Sequence, residues 1–220
     1  DGVRVETLSD YFRSNRQGIE SSLREGFYLP SPLLGVEIPK TGGKVRLLGV
    51  PTVVDRMLQQ AVGQILMNHY EIEFDAYSYG FRPNRNAQQA VMRSLEYINS
   101  GHDWIVDIGL KNFFDEVDHC LLLQILYRKI KCRLVLRLIR KWLRVPIQIG
   151  GKLIKRRKGV PQGSPLSPIL SNILLNELDK RLESMQVKYV RYADDFSLYF
   201  KEEGESRRIG NEIYLYLRDT

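Results

Sequence analysis

Two short aromatic-rich runs, Tyr189–Tyr192 and Phe196–Phe200, are separated only by Ala193-Asp194-Asp195. Runs of this length and composition suit strands, and so short a link can only turn the chain back, so a hairpin with two carboxylates at its turn is expected. Adjacent carboxylates repel each other unless they share a cation, and magnesium takes such ligands readily. On its own, Tyr192-Ala193-Asp194-Asp195 describes an acidic surface turn equally well.

The rest of the chain frames that hairpin with mixed elements. Val36 and Ile38 alternate with Glu37, Gly42-Gly43 supplies a turn, and Val45–Leu48 returns, which predicts a hairpin over residues 33–48. Met57, Leu58, Ala61, Val62, Ile65, Leu66 and Tyr70 recur at helical spacing behind Asp55, and Ala87, Val91, Leu95 and Ile98 do so behind Asn86. Trp104–Ile108 reads as a buried strand. Residues 121–143 read as helix broken near Lys131, and residues 147–154 as a hairpin turning at Gly150-Gly151. Ser167-Pro168 opens a further helix as cap and first-turn proline. Strands and helices interleave without regular alternation, which predicts an α+β fold rather than a doubly wound sheet.

With 220 residues, 43% of them hydrophobic and 27% charged, the chain can bury one substantial core or two small lobes and is not a disordered polymer. Cys120 and Cys132 stand too far apart for a zinc module, and the three histidines are scattered, so neither a disulfide framework nor a zinc site is expected. No apolar run reaches the length of a membrane span and the first residues do not resemble a signal peptide, so a cytoplasmic, reducing compartment is expected. The formal charge of +7 is unevenly distributed. Residues Arg128 to Lys158 hold 13 basic side chains and no acid, while the other 20 basic residues face 26 acidic ones. A solvated helix face usually mixes signs, so this stretch, including Arg128, Lys129, Arg133, Arg137, Lys155, Arg156, Arg157 and Lys158, is expected to face phosphates. Charge alone does not choose between a nucleic acid and a membrane surface.

Several blocks in order resemble the reverse transcriptases encoded by group II introns. They are Ile38-Pro39-Lys40 with Arg46, Leu48-Gly49-Val50-Pro51 and Asp55-Arg56; Ser78-Tyr79-Gly80-Phe81-Arg82-Pro83; Trp104 to Asp115; Val160-Pro161-Gln162-Gly163-Ser164-Pro165-Leu166-Ser167-Pro168; and Tyr192-Ala193-Asp194-Asp195. The resemblance implies a right-hand polymerase whose palm is an antiparallel sheet packed on helices. Fingers are expected over residues 1–100 and 120–160 and palm over 101–119 and 161–220, without a thumb or endonuclease module. It implies RNA-directed DNA polymerase activity with two Mg2+ ions, Mn2+ being an alternative. The implied partners are intron RNA, an RNA template, a DNA primer and deoxynucleoside triphosphates; no membrane partner is expected, and a homodimer is left open. Asp194 and Asp195 would be the catalytic metal ligands, with no ion assigned to either. Lys40, Arg46, Phe113, Phe114, Gln162 and Gly163 would contact the nucleotide. Retron, diversity-generating and CRISPR-linked reverse transcriptases share the palm motifs but match the early blocks less closely.

One position departs from the family pattern. The third metal-ligating aspartate is expected four residues before the first Phe of Phe113-Phe114, and that position is Gly109. Asp107 stands two residues away, about 6.6 Å along a strand, which is too far for a metal ligand to replace it without a register shift. Asp115 and Asp118 have plain roles as turn or cap residues before the next helix, and His119 reads as a helix-start residue. Asp55 and Arg56 read as helix cap and surface charge. Gly109 therefore keeps a second expectation open: an RNA-binding splicing factor (maturase) without polymerase chemistry.

Overall fold

Turn glycines and apolar spacing set where the chain changes direction, and the computed structural model, which describes residues 2–39, 42–43 and 45–219, follows them closely. In chain order the elements are α1 (Leu8–Arg24), β1 (Leu33–Pro39), β2 (Val45–Val50), α2 (Val53–Tyr70), α3 (Ala87–Asn99), β3 (Trp104–Gly109), α4 (Phe113–Glu116), α5 (His119–Lys129), α6 (Arg133–Arg144), β4 (Ile147–Ile149), β5 (Lys152–Ile154), α7 (Ser167–Ser184), β6 (Lys188–Tyr192), β7 (Asp195–Phe200) and α8 (Glu203–Asp219). Every expected hairpin and helix is present. The break near Lys131 separates α5 from α6, and α1, α4 and α8 are additional.

The chain forms two compact units, residues 1–69 with 112–170 and residues 70–111 with 171–220. The first holds a four-stranded sheet ordered β2-β1-β4-β5, in which β1 pairs antiparallel with β2 and parallel with β4. Leu33, Val145 and Ile147 form a core beneath it with Leu47 and Ile149 packed alongside. A buried carboxylate anchors this unit. Asp55, 1% exposed, accepts hydrogen bonds from Tyr28 Oη (2.9 Å), Ser31 N (3.0 Å), Thr52 Oγ1 (3.0 Å) and Trp142 Nε1 (2.9 Å). Asp55 is thus a buried cross-link between distant segments, where the sequence suggested a helix cap. Burial beside this carboxylate pushes the Tyr28 phenol far above its usual range.

The second unit is built on a three-stranded antiparallel sheet ordered β3-β7-β6. Asn86 caps α3 by accepting from Gln89 N, while the Gln89 side chain returns to Asn86 N in a reciprocal box. Tyr79, Ala90, Tyr97, Val190 and Tyr199 then bury α3 against β6 and β7. α8 packs on β3 and β7, and Gly210 lies so near Val106 that a Cβ there would stand 3.3 Å from its methyl. Among the described residues, no helix is long and apolar enough to cross a membrane.

Candidate active site

In the second unit, β6 and β7 place Ala193 and Asp194 in the tight connection, with Tyr192 opposite Asp195 across the ladder. Ala193 adopts a left-handed backbone, φ 58°. Asp195 is exposed and Asp194 half-buried. On the other side of β7, the register sets Gly109 opposite Asp195 and Asp107 opposite Ser197. A Cβ built on Gly109 would meet only Asp195 Oδ1, at 3.5 Å, so a side chain at 109 points at the carboxylate and has room. A groove of about 360 Å³ lies here, lined by Asp107, Gly109, Tyr192, Asp195 and Ser197 from the sheet and by Ser94 from α3.

Asp107 does not stand in for the missing side chain. Its carboxylate accepts a hydrogen bond from the Ser197 hydroxyl, two ladder positions away from the Gly109–Asp195 pair. Among the described residues no group of three or more His, Cys, Asp or Glu is arranged to hold a metal ion. Asp194 and Asp195 are donors suited to a single hard cation, but a pair of ions about 3.5–4 Å apart needs carboxylates from both strands, and β3 contributes none at 109.

The remaining expected site residues lie in the first unit, except Lys40, which is outside the described residues. Arg46 is exposed on β2. The loop 160–164 is stitched to its surroundings by Gly49 N donating to Gln162 O (2.8 Å) and Val160 N donating to Phe114 O (2.7 Å). Gly163 takes φ 110°, and a Cβ there would stand 3.3 Å from the Gly49 carbonyl, so the turn needs glycine. Ser164 Oγ fixes the far end by donating to Gln59 Oε1 (2.8 Å). Phe113 and Phe114 sit edge to face on α4, centroids 5.5 Å apart. The structure thus joins the loop that carries Gln162 and Gly163 to the end of β2 through Gln162 and to α4 through Val160.

Asp118 caps α5 by accepting from Leu121 N at 2.7 Å, as expected. His119 begins that helix in a buried position. Its Nε2 lies 2.7 Å from the Gly159 carbonyl, which can only accept, so Nε2 carries the proton, and the buried Nδ1 has no partner. Burial holds this imidazole below its ordinary pKa.

The basic stretch divides by environment. Lys129 Nζ donates to the His69 carbonyl, Lys141 Nζ to the Gly26 (2.9 Å) and Tyr28 (2.7 Å) carbonyls, and Lys158 pairs with Glu116. Burial lowers the pKa of Arg156, with Asp115 opposing. Arg133, Arg137, Arg140 and Arg144 are exposed on one side of α6, opposite its buried Ile139 and Trp142. Arg128, Lys155 and Arg157 are also exposed.

Sequence reasoning missed Arg191, Asp179 and Asn172, which are fully buried behind the acidic turn. No local pattern marks them, because each side chain meets its partners only through folding.

The family described as Reverse transcriptase (RNA-dependent DNA polymerase) matches residues 38–220. The chain is 34% identical over 213 residues to the group II intron-encoded protein LtrA of Lactococcus lactis subsp. cremoris, covering 96% of this chain and 35% of that protein. It is 32% identical to protein YkfC of Escherichia coli K12 over 91% of this chain and 62% of that protein. The chain therefore spans about a third of the first relative's length and under two thirds of the second's. Among solved structures, a partial Cas6-RT-Cas1–Cas2 complex is similar over 100% of this chain and 38% of that chain, with 28% identity and a TM-score of 0.58. Apo telomerase from Candida tropicalis, at 14% identity over 84% of this chain and 46% of that chain, shares the fold with a TM-score of 0.65.

Proposed function

The chain belongs to the reverse transcriptase family, and from that premise we propose that it is the polymerase domain of a group II intron-encoded protein, adding deoxynucleotides to a DNA primer on an RNA template. Bound divalent cations, Mg2+ with Mn2+ as an alternative, would activate the primer 3′ hydroxyl and neutralise charge on the triphosphate. Asp194 and Asp195 would hold the cation on the hairpin. Gln162 and Gly163 present an amide and an exposed backbone to the nucleotide, Phe113 and Phe114 wall its sugar, and Arg46 with Lys40 contacts its phosphates. In this reading the exposed part of the 128–158 stretch binds template or intron RNA.

The observation that carries the proposal is the register that sets residue 109 opposite Asp195, where a side chain would fit against the carboxylate without a clash. It makes polymerisation by this chain weak for want of one carboxylate. The test is Gly109→Asp, compared with the unaltered protein on one primed RNA template over a magnesium titration. Synthesis should rise about 10²–10³-fold, the usual worth of one electrostatic element in such a site, while RNA affinity stays unchanged. Equal, robust synthesis by both proteins would refute the assignment of 109.

The same glycine favours a second reading, an intron RNA-binding splicing factor that does not polymerise. No synthesis by either protein, with tight RNA binding by both, would select it.

A further inference from the structure

The acidic turn rests on a buried polar hub. Ala193 holds a left-handed backbone that costs an L-residue energy, so its neighbours must maintain it. Arg191, two residues earlier on β6, is 0% exposed. Its Nε and Nη2 fork onto Asp179 Oδ1 (2.8 Å) and Oδ2 (2.5 Å) of α7. Its Nη1 donates to Asn172 Oδ1 (3.0 Å), also on α7, and to the Ala193 carbonyl (2.9 Å). Asn172 Nδ2 in turn donates to the Gly80 carbonyl (2.9 Å). Gly80 closes the opposite wall, where an added Cβ would collide with Ala193 N. The Arg191 backbone is tied to the same segment, its N–H donating to Tyr77 O and its carbonyl accepting from Tyr79 N, both at 2.9 Å.

A wholly buried ion pair is a poor device for stability, since desolvation offsets its attraction, but it fixes geometry well. Here two members of the hub reach toward one short turn: the guanidinium directly, and Asn172 through both Arg191 and Gly80. A cation ligand has to be held to within about 0.5 Å of its working position, and Asp194 and Asp195 directly follow the residue whose carbonyl Arg191 grips. We propose that Arg191 is a positioning residue for the Asp194-Asp195 pair: locked by Asp179 and Asn172, it fixes the left-handed turn at Ala193 and so aims both carboxylates. The proposal rests on the reading that this pair binds divalent cations. Lysine at 191 would keep the charge but could not fork onto Asp179 and hold the Ala193 carbonyl together.

The test uses the 220-residue chain with Mn2+ as probe, read by electron paramagnetic resonance of the unbound ion, with alanine-labelled NMR reporting the Ala193 backbone. The double variant Asp194→Asn with Asp195→Asn sets the background. Ile213→Ala, a buried position on α8 in the same unit, serves as a reference for general loss of stability. In Arg191→Lys and in Asn172→Ser, the Ala193 signal should leave its left-handed signature and Mn2+ affinity should fall about tenfold or more, as when a group supporting a metal ligand is lost. Ile213→Ala should leave both unchanged at comparable urea stability. An unchanged Ala193 signal and affinity in folded Arg191→Lys would overturn the proposal, as would equal losses in Ile213→Ala. If Arg191→Lys does not fold, Asn172→Ser decides by the same criteria. If the unaltered chain binds no Mn2+ above background, the cation reading fails, and the Ala193 signal alone decides whether Arg191 positions the turn.

Discussion

At single positions, this protein is decided by whether a side chain is present or absent. At Gly80 a single methyl would run into main-chain atoms of Ala193, and backbone cannot step aside as the end of a flexible side chain can. Gly80→Ala should therefore destabilise the fold by about 1–3 kcal/mol, the range for overpacking a tight site. Urea unfolding followed by circular dichroism measures it, and an unchanged midpoint would mean that the Ser78–Gly80 segment and the turn move apart freely. Gly109 is the opposite case, because a side chain there meets open space and a carboxylate. The same residue type is thus a steric requirement at 80 and, in the proposed reading, a missing functional group at 109. Sequence spacing alone exposed the second, since the count back from Phe113 needs no coordinates. The first needed the structure, because residues 80 and 193 are 113 positions apart.

Among the elements, α6 is the one whose pattern and placement agree most simply. Arg133, Arg137, Arg140 and Arg144 recur at spacings of four, three and four, which keeps them on one stripe of a helix with 3.6 residues per turn, about 16 Å long. Among the described residues they make no hydrogen bond or ion pair, unlike Lys129, Lys141 and Lys158. Replacing all four with glutamine should weaken RNA binding steeply at low salt. If each arginine neutralises one phosphate of a single strand, the slope of log affinity against log salt should flatten by about 3. Filter binding over a salt series tests this; an unaltered slope would make the stripe an ordinary solvated face. Composition had marked the whole 128–158 stretch as one surface. Packing divides it, because lysine and arginine stems reach several ångströms and are captured by whichever carbonyls or carboxylates lie nearby. The helix α8 shows a milder gap: Ile209 and Ile213 are spaced by one turn and buried, but its many charges hide that signal.

For the whole molecule, stability should depend on pH through His119. Burial keeps its folded pKa below the ordinary 6.5, so the folded chain holds a neutral ring that the unfolded chain protonates first. The unfolded state then binds more protons, and stability present above pH 6.5 is lost as pH falls below it toward the folded value. Urea midpoints at pH 7.5 and 5.5 should diverge in the unaltered protein and diverge less in His119→Gln, whose amide can still donate to the Gly159 carbonyl. Equal divergence in both proteins would assign the acid sensitivity elsewhere. Periodicity, turn glycines and caps act over a few residues, so the sequence by itself determined the hairpins, the helices of residues 53–70, 87–99 and 167–184, the acidic turn and the glycine at 109. Only the tertiary structure decided that Asp55 is a buried acceptor for Trp142, that Arg191 is spent on Asp179 and the turn, and that Gly80 must lack a side chain. The physical reason is that a charged residue reads as surface until something packs over it, and what packs over it comes from parts of the chain that no local pattern connects.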